Sequence, residues 1–158
     1  MRLTSMNTSQ EARKIAWILS IGGFIPFGLL ALLIALTGHG SPLFQPLLDI
    51  FKIWSVIILS FLGGIRWGLA ISHEPFDNFS LVLSVVGSIL AWMAMLLPDT
   101  YAIPVLLVLF CAHGAWDSFF INLGKAPPWF ASIRVTLTFL VAAAHLIVVA
   151  TVSSSLLS

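Results

Sequence analysis

The chain has 158 residues, of which 59% are hydrophobic and 8% charged, with seven basic and six acidic side chains and a formal charge of +1. A soluble domain carries roughly 25% charged residues, so this composition excludes one and makes lipid the solvent for most of the chain. It also excludes a nucleic-acid partner, which would need clustered Lys and Arg.

The first apolar run spans about residues 15–37, behind a tail (1–14) that holds Arg2, Arg13 and Lys14. It is too long for a cleaved signal-peptide core and is read as a retained span. Four more runs follow at about 50–72, 79–97, 101–122 and 132–152, before a short tail at 153–158. Each run is continuous rather than alternating, which predicts helices rather than barrel strands. The breaks fall at Gly38–Pro42, His73–Asn78, Leu97–Asp99 and Lys125–Pro128, each with a proline that cannot continue a helix. The expected fold is therefore all-α: a polytopic membrane bundle of five transmembrane helices in a single domain. The short break after Leu97 predicts a tight hairpin between spans three and four.

Cations set the expected orientation. Arg2, Arg13, Lys14, Lys125 and Arg134 fall at one end of the bundle and only Lys52 at the other. The positive-inside bias then places the N-terminus in the cytoplasm. With little room for a transit peptide, the expected location is a bacterial inner membrane.

Span two holds the most information. Ser60, Gly64, Gly68 and Ser72 recur every four residues, a small-residue stripe that permits close helix approach, and Gly63 adjoins it. The expectation is that this stripe buries against protein. Ser55, Arg66 and His73 lie on roughly the opposite side, so span two is placed centrally. Arg66 sits inside the span, where a cation costs about 2.5–3.5 kcal/mol near the centre unless paired. Asp117 on span four lies at nearly the same depth, so an Arg66–Asp117 ion pair with fork geometry is expected. His113, one turn earlier, can hydrogen-bond the same carboxylate. Trp67 and Trp116 neighbour the pair in sequence and can line its pocket. Arg134, behind Pro128-Trp129, completes the expected polar cluster.

Trp17, Trp54 and Trp129 lie near span ends and read as interface anchors. His113 and His145 share a depth and can ligate a haem or copper, but they read more simply as core residues donating to backbone carbonyls. No metal site is assigned, and no cofactor is specified. The lone Cys111 forms no disulfide framework. Metalloprotease, nucleophile-elbow, P-loop and dinucleotide fingerprints are all absent, and the Ser80, Ser84, Ser88 series reads as packing rather than nucleophiles.

Four strings carry a resemblance: Gly23-Phe-Ile-Pro-Phe27, Ser60-Phe-Leu-Gly-Gly-Ile-Arg-Trp-Gly68, Ala91-Trp92 and Pro128-Trp-Phe-Ala-Ser-Ile-Arg-Val-Thr-Leu-Thr138. Together they resemble the domain-of-unknown-function 3429 family of small, transmembrane protein 69-like membrane proteins. The resemblance covers about Ala16 to Ala150. It implies a multi-span membrane protein, adds weight to Gly63, Gly64, Arg66, Trp67, Gly68, Trp92, Asp117, Trp129 and Arg134 as a unit, and supplies no substrate.

Two functional expectations follow. The first is an accessory or structural component that binds a lipid, a quinone or a membrane-protein partner near the cytoplasmic leaflet through the Arg66/Asp117/Trp cluster. The second is a small transporter or channel, a homo-oligomer with Arg66, Asp117 and His113 as its polar path.

Overall fold

A computed structural model describes residues 2–72, 78–122 and 128–154. These form five helices: α1 (Arg2–Thr37), α2 (Phe44–Ile71), α3 (Asn78–Ala94), α4 (Asp99–Asn122) and α5 (Pro128–Ser154). Four of them, taken as Gln10–Thr37, Phe44–Ile71, Asp99–Ile121 and Trp129–Ser154, are long and apolar enough to cross a membrane. The third, at 17 residues, is shorter. Its chain continues as turns, with Met95, Leu96 and Leu97 N–H groups donating three residues back, so the connection to α4 is short.

Helix ends follow local chemistry. Gly38 closes α1 at φ +64°, and its N–H donates to Ile34 O at 3.2 Å. That left-handed cap is open to glycine at no steric cost. The start of α2 lies six residues before the expected boundary because Pro46 falls in the first turn, where a missing N–H is no loss. Pro128 occupies the first position of α5 for the same reason.

The helices form a ring in which α1 touches α2 and α5, α3 touches α2 and α4, α4 touches α5, and α2 crosses to α4. Both α2 and α4 therefore have three neighbours, so α4 shares the central position expected of span two alone. Large apolar side chains such as Ile18, Leu36, Leu96 and Phe139 point outward, which suits a hydrocarbon solvent and not water.

The core joins four helices. Phe27 packs edge-on against Phe51 (5.6 Å) and Phe110 (5.5 Å), the arrangement favoured by ring quadrupoles. His145 closes the cluster from α5, with its centroid 4.7 Å from that of Phe51. Near Pro26, which interrupts the backbone ladder of α1, the Trp54 indole N–H donates to Gly23 O at 3.2 Å. Trp54 thus ties α2 to α1 within the bundle. With α2 starting at Phe44 it lies ten residues in, not at the span end where an interface anchor would sit.

One expectation is overturned. Ser60, Gly64, Gly68 and Ser72 are all exposed, and a Cβ at Gly64 or Gly68 would meet nothing within 4 Å. The buried face of α2 is instead Ser55, Leu59, Leu62, Gly63, Arg66 and Ala70. It meets a small-residue face of α3 made of Ser80, Ser84, Gly87, Ala91 and Ala94. The physical reason is close approach: Gly63 lets the α2 backbone meet the Ser84 carbonyl of α3, while Leu62 and Arg66 of the same buried face turn towards α1 and α5 and towards Asp117 of α4.

Candidate functional site

Arg66, Asp117 and Arg134 project inward because each belongs to its helix's buried row. On α2 that row runs Ser55, Leu59, Leu62, Arg66; on α5 it runs Arg134, the half-buried Thr138, Val141 and His145; on α4 Asp117 is half-buried, one turn after the buried His113. Arg66 lies five residues from the end of α2, Asp117 five from the end of α4 and Arg134 six from the start of α5. At 1.5 Å per residue these depths are about 7–9 Å, so the three charges share one level.

The structure brings Arg66 and Asp117 together, but not as a fork. Arg66 Nη2 donates to Asp117 Oδ1 at 2.5 Å, and Arg134 Nε donates to Asp117 Oδ2 at 2.5 Å. Each carboxylate oxygen therefore serves a different helix. Side-chain exposures are 5% for Arg66, 6% for Arg134 and 12% for Asp117. Among the described residues, two guanidiniums against one carboxylate leave one unit of positive charge at this level. Arg66 also lies 5.4 Å from the Trp116 ring and 5.1 Å from the Phe120 ring, so aromatic faces supply part of its stabilisation.

Other expected members sit elsewhere. His113 is buried, but both Asp117 oxygens are taken by arginines, and no hydrogen bond joins the imidazole to the carboxylate. Trp67 points outward at 46% exposure and lines no pocket with Arg66. Trp116 does join the cluster. Trp129 carries Arg13 over its ring at 5.8 Å, linking the start of α1 to α5. His73 and Lys125 lie outside the described residues.

His145 is a core histidine on a backbone carbonyl, as the sequence leads one to expect, whereas the network around Lys52 escaped the sequence reading. His145 is fully buried, with Nδ1 2.9 Å from Val141 O and Nε2 3.3 Å from Ser55 Oγ. Among the described residues no group of three His, Cys, Asp or Glu side chains could hold a metal ion. At the opposite end from the ion cluster, Lys52 reaches Asp99 at 2.5 Å and Asp49 at 2.9 Å, and Gln45 donates to Asp99 at 2.9 Å. Asp49 and Lys52, three residues apart, were the available signal for this network. Placing the start of span two at residue 50 hid it.

Two lateral grooves flank the ion cluster. One, of about 330 Å³, lies between α1, α2 and α5 and includes Phe24, Ile58, Leu62, Arg134 and Leu137. The other, of about 360 Å³, lies between α3 and α4 and reaches Arg66.

Apolar helices of spanning length, outward-facing hydrophobic side chains and a charge cluster enclosed among them define a polytopic helical membrane protein. Residues 12–150 match the family described as "Protein of unknown function (DUF3429)", and the chain belongs to that family. It is 35% identical over 133 residues to Transmembrane protein 69 of Xenopus tropicalis, an alignment covering 82% of this chain and 51% of that relative. The chain thus spans about half the length of the relative it matches. No solved structure matches it.

Proposed function

We propose that this protein is an accessory component of a bacterial inner membrane that binds an amphipathic, lipid-type molecule at the cytoplasmic-leaflet end of its bundle. The observation that carries this reading is the uneven ion cluster, in which, among the described residues, Asp117 faces both Arg66 and Arg134 and neutralises one of them. An unbalanced charge within hydrocarbon costs several kcal/mol, and an anionic head group approaching from the adjoining interface would offset it. The groove between α1, α2 and α5, which includes Arg134, gives the tails of such a molecule apolar walls.

In this reading α3 also crosses the membrane, extended by the turns through Leu97, and the N-terminus is cytoplasmic. Arg13 and Lys14 are exposed at the start of α1, whereas the single cation at the far end, Lys52, is held between Asp99 and Asp49. That contrast supports the orientation. Transport through the bundle is the weaker reading, because the buried Leu59 and Leu62 separate Arg66 from Ser55 along the inner face of α2.

Native mass spectrometry of the detergent-purified protein tests the proposal. Anionic phospholipid should be retained over phosphatidylcholine, and Arg134→Gln should reduce that retention about tenfold. Equal retention of both lipids, or no change in the variant, overturns it.

A further inference from the structure

The α3/α4 flank holds polar capacity that the ion cluster does not use. The groove there is walled by Leu83, Val86, Gly87, Leu109, His113 and Trp116. His113 is only 8% exposed and makes no hydrogen bond among the described residues. Gly87 admits its ring, since a Cβ at that position would collide with Nε2. One turn further along α4, Trp116 Nε1 is the one buried side-chain nitrogen or oxygen without a partner among the described residues. A buried donor left unsatisfied costs about 1–3 kcal/mol, and hydrocarbon has no water to supply the bond.

The geometry points to this groove as the binding site for the head ring of a membrane quinone, with His113 donating to one carbonyl oxygen and the Trp116 indole, whose N–H is enclosed and unpartnered among the described residues, turning on binding to donate to another acceptor. The indole N–H can only donate and a neutral imidazole can donate, so the ligand must accept. Depth selects a neutral acceptor. His113 lies nine residues from the end of α4, about 13 Å along the helix, where a phosphate would lose its hydration and a ketone oxygen loses little. The walls suit a planar ring: aliphatic side chains face the Trp116 indole, whose centroid is 5.6 Å from that of Phe79. This inference rests on the reading of the protein as a binder of amphiphiles; the groove reaches Arg66 at one end, and the quinone ring takes the His113 end while the tails of an anionic lipid take the α1/α2/α5 groove.

The test uses the full chain in phosphatidylcholine nanodiscs with a photoreactive azido-benzoquinone carrying an isoprenoid tail. Saturable labelling of α3 and α4 peptides, competed by unlabelled quinone, is expected. Val86→Trp, which fills the groove from its exposed lip, should abolish it. His113→Phe should weaken it roughly fivefold, the worth of one neutral hydrogen bond of about 1 kcal/mol. Labelling that does not saturate, maps elsewhere or survives Val86→Trp overturns the inference. If anionic lipid is still retained in that event, the proposed function stands without it; if neither ligand binds, both fall.

Discussion

Gly63 of α2 lies against the backbone carbonyl of Ser84 on α3 so closely that a Cβ would collide with the oxygen, and Ser88 Oγ would sit 2.9 Å from it. Backbone cannot rotate away as a long side chain can. Gly63→Ala should therefore separate α2 from α3 and destabilise the protein by about 1–3 kcal/mol, the range for overpacking. Gly64→Ala and Gly68→Ala point into open space and should be neutral. Thermal unfolding of the three variants in one detergent checks this, and similar losses at all three positions would contradict the observed packing.

Within the ion cluster the three residues are not equivalent. Asp117→Ala strands two buried guanidiniums and should cost about 3–5 kcal/mol or prevent folding. Either arginine replaced by Leu leaves a neutral pair and should cost less. Folded yield by fluorescence-detected size exclusion should therefore rank Asp117→Ala lowest, with Arg66→Leu and Arg134→Leu above it. Equal yields for all three would sink the shared-carboxylate arrangement.

His145 is enclosed by Phe27, Phe51 and Phe110. His145→Phe keeps the ring volume and leaves Ser55 Oγ its bond to Phe51 O, so the expected loss is under about 1.5 kcal/mol. His145→Ala opens a cavity and should cost about 3–5 kcal/mol, on the scale for buried aromatic truncation. The difference in melting temperature between the two variants is the measurement. A His145→Phe variant as damaged as His145→Ala would give the imidazole a role beyond packing.

In the proposed arrangement of five crossings with a cytoplasmic N-terminus, α5 would end outside. A periplasmic reporter fused after Ser154 should be active in bacterial cells, and a cytoplasmic fluorescent reporter at the same point should be dark. The reverse pattern would mean that α3 does not cross or that the bundle is inverted.

Much of this was legible in one dimension. Run lengths and proline breaks placed most helix ends to within a few residues, except that α1 runs back to Arg2 through the stretch read as a tail and α2 begins at Phe44, six residues early, because Pro46 in its first turn is compatible with a helix. Arg66 and Asp117 stood out as charges within apolar runs, and helical rise put them at one depth. Arg134 was included in the cluster, but its hold on Asp117 was not foreseen. Its nearness to the Pro128 break made it read as an interfacial cation, while the helix carries it six residues inward.

Sequence by itself determined the solvent, the secondary structure and the level at which charge enters the bundle, because hydrophobic length and helical rise are properties of a single segment. Tertiary structure alone decided which face of α2 is buried and which groups share Asp117. Glycine and serine are tolerated both against lipid and against a neighbouring backbone, so the Ser60–Ser72 stripe could not declare its side. That choice belongs to the packing of α2 on α3, in which Gly63 lies against Ser84 while Gly64 and Gly68 meet nothing and leave the stripe facing outward.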